Sequence, residues 1–198
     1  MPNGLILPII CLGAEIHIWP SPQSSYNVGH KSLRQEKMSE EVLDNPDSTV
    51  LETGQGRSFW LMGDFYAIKT TAEQTGGAYS ITEIESFPGN GPPPHIHRKE
   101  DECFYVVEGA FTVILGERVF DVADGDFVRI PKGTPHTYKN VGAVPGKMLV
   151  ILSPGGLERM WAELGQPGLL NQPPRQEDPS TLNRLLALAP GYGLEICV

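Results

Sequence analysis

"GNGPPPHIHRKEDECFYVVEG", residues 89 to 109, places two of the chain's five histidines one residue apart. Turn-forming Gly and Pro precede them; a run of charge and then aromatic and β-branched residues follow. Side chains alternate along a strand, so His95 and His97 project from one face, about 6 to 7 Å apart along it. Two imidazoles at that separation can converge on one ion. Glu102 begins the next strand, and regular alternation puts Phe104, Val106 and Glu108 on its face. A third imidazole, His136, sits in "GDFVRIPKGTPHTYKN" (125–140), where a strand restarts after a Pro-Lys-Gly-Thr-Pro turn.

Outward from this stretch, residues 48 to 153 read as short β-prone runs broken by turn residues. "SFWLMGDFYAIKT" (58–70), "GAYSITEIESF" (77–87), "GDFVRIPKGTPH" (125–136) and "KMLVILSP" (147–154) supply strands. "ECFYVVEG" and "AFTVILG" predict a hairpin about Gly109, and "ERVFDV" continues the run. Many short, regularly spaced strands with Gly-rich turns favour a sandwich or barrel. The tail changes period. "PGGLERMWAEL" (154–164) has Leu157, Met160, Trp161 and Leu164 at helical spacing. "DPSTLNRLLALA" (178–189) opens on an Asp178 or Ser180 cap and aligns Leu182, Leu185, Leu186 and Ala189 on one face. "GQPGLLNQPPRQED" between them is a linker by composition. The expected organisation is an amino-terminal arm over residues 1–47, a barrel over 48–155 and a helical extension over 156–198. The arm, rich in Pro, Ser and charge, suits a flexible or partner-docked segment, and one reading starts the natural protein at Met38. His17 and His30 lie in it and are read as structural or exposed.

Composition narrows the classes. The 198 residues carry a formal net charge of −9 with scattered Lys and Arg, which argues against nucleic-acid binding. The apolar start "LILPIICL" is too short to span a bilayer and lacks a basic flank, so the expectation is a cytoplasmic protein without membrane association. Three cysteines, Cys11, Cys103 and Cys197, with no CxxC, suit a reduced compartment.

The spacing also carries a family resemblance. Gly89, His95, His97, Glu102 and Gly109 match G-x5-H-x-H-x4-E-x6-G. Gly125, Pro131, Gly133, His136 and Asn140 match G-x5-P-x-G-x2-H-x3-N. These resemble the two signature motifs of the cupin superfamily, and the short spacer between them is that of single-domain members. The resemblance implies a small all-β jelly-roll barrel with one divalent transition metal in its mouth, held by His95, His97, Glu102 and His136. Three imidazoles and a carboxylate suit Fe, Mn, Ni, Co, Cu or Zn, and such a set can leave a coordination position open for chemistry. Gly109 and Gly125 fit turns, Pro131 and Gly133 aim His136, and Asn140 reads as a turn former. Cys103 points away from Glu102 by alternation.

The style of the first motif, the compact barrel and the tail look most like bacterial quercetin dioxygenase-like cupins. That likeness implies a small-molecule substrate, O2 as co-substrate, and Glu102 as both ligand and proton acceptor. Phe104, Val106 and Tyr138 are the expected pocket residues and favour an aromatic or enol substrate. Small carboxylates fit less well, since they need a pocket arginine and Arg129 is the nearest candidate. A homodimer paired through sheet edges is expected. A non-catalytic metal or small-molecule binder and a non-redox isomerase are the alternative readings.

Overall fold

The structure is a computed structural model that describes residues 49–52, 55–170 and 180–197. The amino-terminal arm with His17, His30 and Cys11, and much of the linker, lie outside the described residues.

Among the described residues, twelve strands form two antiparallel sheets. Phe59, Leu61, Tyr66 and Ile68 place their side chains in the core from β1 (Arg57–Leu61) and β2 (Asp64–Thr70), which turn about Met62 and Gly63. Phe59 and Tyr66, opposite each other in the register, stack with ring centroids 5.5 Å apart. β3 (Ser80–Ser86) and β10 (Gly146–Ser153) are paired and strictly alternate in burial, the signature of a strand with one face on the core. With β5 (Asp101–Glu108), β8 (Phe127–Ile130) and the two-residue β11 (Gln166–Pro167) they build a seven-stranded sheet, β11-β1-β2-β3-β10-β5-β8. β11 falls inside the segment that composition reads as linker.

The smaller sheet runs β12-β4-β9-β6-β7. Its members are β4 (His95–His97), β6 (Ala110–Leu115), β7 (Arg118–Ala123), β9 (His136–Asn140) and β12 (Leu194–Ile196). Phe104, Val106, Met148 and Val150 from the larger sheet share one core with Phe111, Val113 and Tyr138 from the smaller. This is the expected jelly-roll arrangement, two sheets facing each other across a buried apolar layer.

Three local expectations are corrected. The hairpin about Gly109 does not form: β5 pairs with β10 and β8, and β6 with β7 and β9, so the chain changes sheets there. Gly109 has φ +105°, and a Cβ on it would lie 2.7 Å from the Gly146 Cα, so the crossing needs glycine twice over. The hairpin of this region joins β6 to β7, with Leu115 paired to Arg118. Second, Glu108 leaves the face of Glu102, Phe104 and Val106 and is exposed. Opposite it the register slips between Lys147 and Met148, a bulge that breaks the alternation. Third, Leu182 and Leu186 do not share the buried face of the last helix.

That helix, α2 (Thr181–Tyr192), buries Thr181, Leu185 and Ala189, a stripe of i, i+4 and i+8, and leaves Leu182 and Leu186 exposed one step round. α1 (Glu158–Leu164) buries Met160 and Leu164 in the core. Its Glu158 is fully covered, accepting hydrogen bonds from Ala72 N (2.8 Å) and Gly156 N (2.7 Å), which ties the helix to the loop after β2. After α2 the chain does not end as helix. β12 pairs with β4 residue by residue, Leu194 with His97 and Ile196 with His95, so the tail is bonded to the histidine strand. Among the described residues no helix is long and apolar enough to cross a membrane.

Candidate metal centre

β4 is only three residues long, and His95, Ile96 and His97 are all buried in it. Three prolines (92–94) supply no backbone N–H, which suits the extended entry to a strand start. β9 pairs with β4 through His95 and His136, bringing the third imidazole opposite the first. Its approach is set by the turn before it, where Thr134 N donates to Pro131 O (3.1 Å) and Gly133 N to His97 O (2.8 Å). Glu102 faces them from β5 of the other sheet. Each of the four offers one ligand atom, and these atoms lie within 4.8 Å of one another.

The hydrogen bonds define which nitrogen each ring presents. His95 Nδ1 donates to Pro93 O at 2.8 Å and His136 Nδ1 to Thr134 O at 2.9 Å, which leaves Nε2 as the inward atom of both rings and the one that would bind an ion. The inward atoms crowd: His95 Nε2 lies 3.1 Å from His97 Nε2, and Glu102 Oε2 lies 2.7 Å from His136 Nε2 and 3.3 Å from His97 Nε2. Facing lone pairs at these distances need a proton or a cation between them. The mixed nitrogen and oxygen donor set suits a divalent transition ion, which His95, His97, Glu102 and His136 would hold.

Electrostatics agree. Burial lowers His95, and the neighbouring His136 lowers it further, to about 4. Burial alone lowers His97 as well, but Glu102 and Glu100 outweigh it and push His97 up to about 9. Burial raises Glu102, and His97 and His136 reverse that, holding it well below the usual carboxylate range. The metal-free site thus keeps a proton on His97 at neutral pH. An incoming ion must displace it, so apparent metal affinity is expected to climb close to tenfold per pH unit up to about 9 and then level off. Calorimetry in buffers of different ionisation enthalpy checks this, with about one proton released per ion at pH 7. Affinity that does not change between pH 6 and 9 rejects it.

Above the cluster lies a cavity of about 50 Å³. His95 and Glu102 border it, Phe104 and Tyr138 form part of its wall, and Leu157, Trp161, Leu185 and Leu194 from the tail close it. Burial pushes the Tyr138 phenol well up, so it stays protonated. Val106, expected in the pocket, is packed in the core and does not line the cavity. Arg129 is exposed and bonds Asp101 Oδ2 at 2.7 Å, so it supplies no cation inside. Cys103 pairs with Arg129 and Ile151 and points away from the cluster. Asn140 does shape a turn: its side chain accepts from Gly142 N (2.8 Å) and donates to Ser86 O (2.6 Å) and Val144 O (3.1 Å).

One residue escaped the sequence reading. Glu100 is 4% exposed and places Oε2 3.6 Å from His97 Nδ1. Its charge-run setting "RKEDE" reads as a solvated surface; its spacing of three from His97 is the only signal that sets it apart.

Residues 83–152 match the family model for the Cupin domain. The protein SchB of Streptomyces halstedii is 32% identical over 94 residues, 46% of this chain and 67% of that protein. The chain belongs to the cupin superfamily. A quercetin 2,3-dioxygenase of Bacillus subtilis strain 168 is 28% identical to this cupin over 130 residues, 64% of this chain. The match spans 38% of that dioxygenase, less than half of its length. Among solved structures, KdgF from Halomonas sp. superposes with a TM-score of 0.51 at 20% identity, over 57% of this cupin and 98% of that chain. That likeness is one of fold.

Proposed function

We propose that this cupin is a metal-dependent oxidoreductase of the dioxygenase type, acting on an uncharged aromatic, flavonol-like or enol substrate. The observation that carries the reading is the cavity: apolar and aromatic walls meet the candidate metal ligands His95 and Glu102, with no Lys or Arg among the described residues that line it. Such a wall favours a substrate with an apolar body and oxygens directed at the ligand cluster. The similarity to a quercetin 2,3-dioxygenase supports it. A bound divalent ion supplies Lewis acidity and, when redox-active, a route for O2 chemistry. Tyr138 and Phe104 pack against the substrate rings, the tail side chains exclude water, and Glu102, at the cavity wall, is placed to take an enol or phenol proton.

The free volume of about 50 Å³ is far below the roughly 300 Å³ or more of ordinary ligand pockets. A flavonol therefore enters only when tail side chains such as Trp161 swing aside. The same small volume favours a second reading, a compact carbonyl ligand handled by a non-redox isomerase or a binder.

Oxygen uptake by metal-reconstituted protein, against flavonols, catechols and small enols, separates the readings. Substrate-dependent uptake with both oxygen atoms in the product is the expected result. A product of unchanged mass without uptake identifies an isomerase. Saturable binding without product identifies a binder, and either outcome removes the dioxygenase reading.

A further inference from the structure

We infer that Glu100 is a positioning residue for the metal centre: its carboxylate accepts a hydrogen bond from the Nδ1–H of His97 and so fixes the ring with Nε2 toward the ion. Two of the three histidines already rest on backbone carbonyls, His95 on Pro93 O and His136 on Thr134 O. His97 has no such carbonyl. Its Nδ1 and Glu100 Oε2 are both buried without a hydrogen-bond partner among the described residues, and they face each other at 3.6 Å. Two orphaned, complementary atoms in a buried site are costly apart and satisfied together. A small approach of the two side chains closes the pair once Nε2 is committed to an ion, because Nδ1 must then carry the proton.

Burial points the same way. The four candidate ligands are 2 to 8% exposed, and Glu100 is itself 4% exposed. Burying a polar group without a hydrogen-bond partner is unfavourable. In the charged run 98–101 Glu100 alone is buried, while the exposed Arg98 and Lys99 before it bond to Glu195 and to Gly191 O. His97 thereby differs from the other two imidazoles in facing a side-chain carboxyl group and not a backbone carbonyl.

The inference rests on the metal centre and is independent of the dioxygenase chemistry. Its test is zinc affinity, by chelator competition, for wild type, Glu100→Gln and Glu100→Leu. Proton NMR of the zinc-loaded, 15N-histidine-labelled proteins reports the imidazole N–H groups. The expected ranking is wild type, then Gln, then Leu, with Leu weaker by about 10- to 100-fold. Of three slowly exchanging imidazole N–H signals in the wild type, the His97 signal moves or is lost in both variants, while those of His95 and His136 stay. Wild-type zinc affinity in Glu100→Leu, or an unmoved His97 signal, overturns the role of Glu100 and leaves the metal centre standing. A wild-type protein that takes up no zinc overturns both. Lower thermal stability of the metal-free variants with unchanged zinc affinity assigns Glu100 a merely structural part and also overturns the inference.

Discussion

Glu102→Gln is expected to weaken divalent metal binding at least about a hundredfold and to reduce any turnover to background, with the fold retained. The substitution is isosteric and leaves three imidazoles, but it removes the one carboxylate that, among the described residues, touches the inward nitrogens, 2.7 Å from His136 Nε2 and 3.3 Å from His97 Nε2. An amide cannot neutralise a buried cation, and loss of a group that merely orients a ligand already costs 10- to 100-fold in affinity. The same change lowers the His97 pKa from about 9, because its largest electrostatic support is gone. Metal content by elemental analysis after dialysis, and a pH titration of the His97 ring, read the two effects. Stoichiometric metal in the dialysed variant would remove Glu102 from the ligand set.

Gly91→Ala is expected to destabilise the fold by about 3 kcal/mol, near the upper end of overpacking effects. A Cβ at Gly91 overlaps the Tyr138 carbonyl oxygen and comes within 2.9 Å of its carbon; neither is the end of a flexible side chain. The strain falls on β9 two residues after His136 and on the loop four residues before His95. Loss of metal is therefore expected along with a melting temperature lower by roughly 10 °C. Gly89→Ala is a useful contrast: nothing lies within 4 Å of a Cβ there, and its cost comes from φ +83° alone. Equal stability of wild type and Gly91→Ala contradicts the close approach of this loop to β9.

The paired face of His95 and His97 was readable in the chain because its geometry is local, and Glu102 and His136 joined it through the likeness of their spacing to the cupin motifs. Alternation along a strand fixes the common face of His95 and His97 within three residues, and the Pro131 to His136 turn carries its own aim. The facing of Glu102, Phe104 and Val106 follows from the same period. It failed at Glu108, where a slip in the partner strand, 39 residues away in sequence at Lys147, flips the side chain outward. Gly109 failed for a related reason. A glycine between two β-prone runs is compatible with a hairpin and with a change of sheet, and only the pairing partners of β5 and β6 decide between them.

What the sequence determined by itself was a set of elements, short alternating strands and two tail helices, with His95 and His97 on one face; the likeness to the cupin motifs added Glu102 and His136 as candidate ligands. Backbone sterics and the two-residue period act over a few residues, so they are legible without neighbours. Only the tertiary structure decided what those elements meet. β12 lies against the histidine strand, α1 and α2 close the cavity, Leu182 and Leu186 stay outside, and Glu100 turns in from a charged loop to face His97. Each depends on contacts between residues far apart in the chain, where closure of the two sheets, and not local propensity, determines which side chain loses its water.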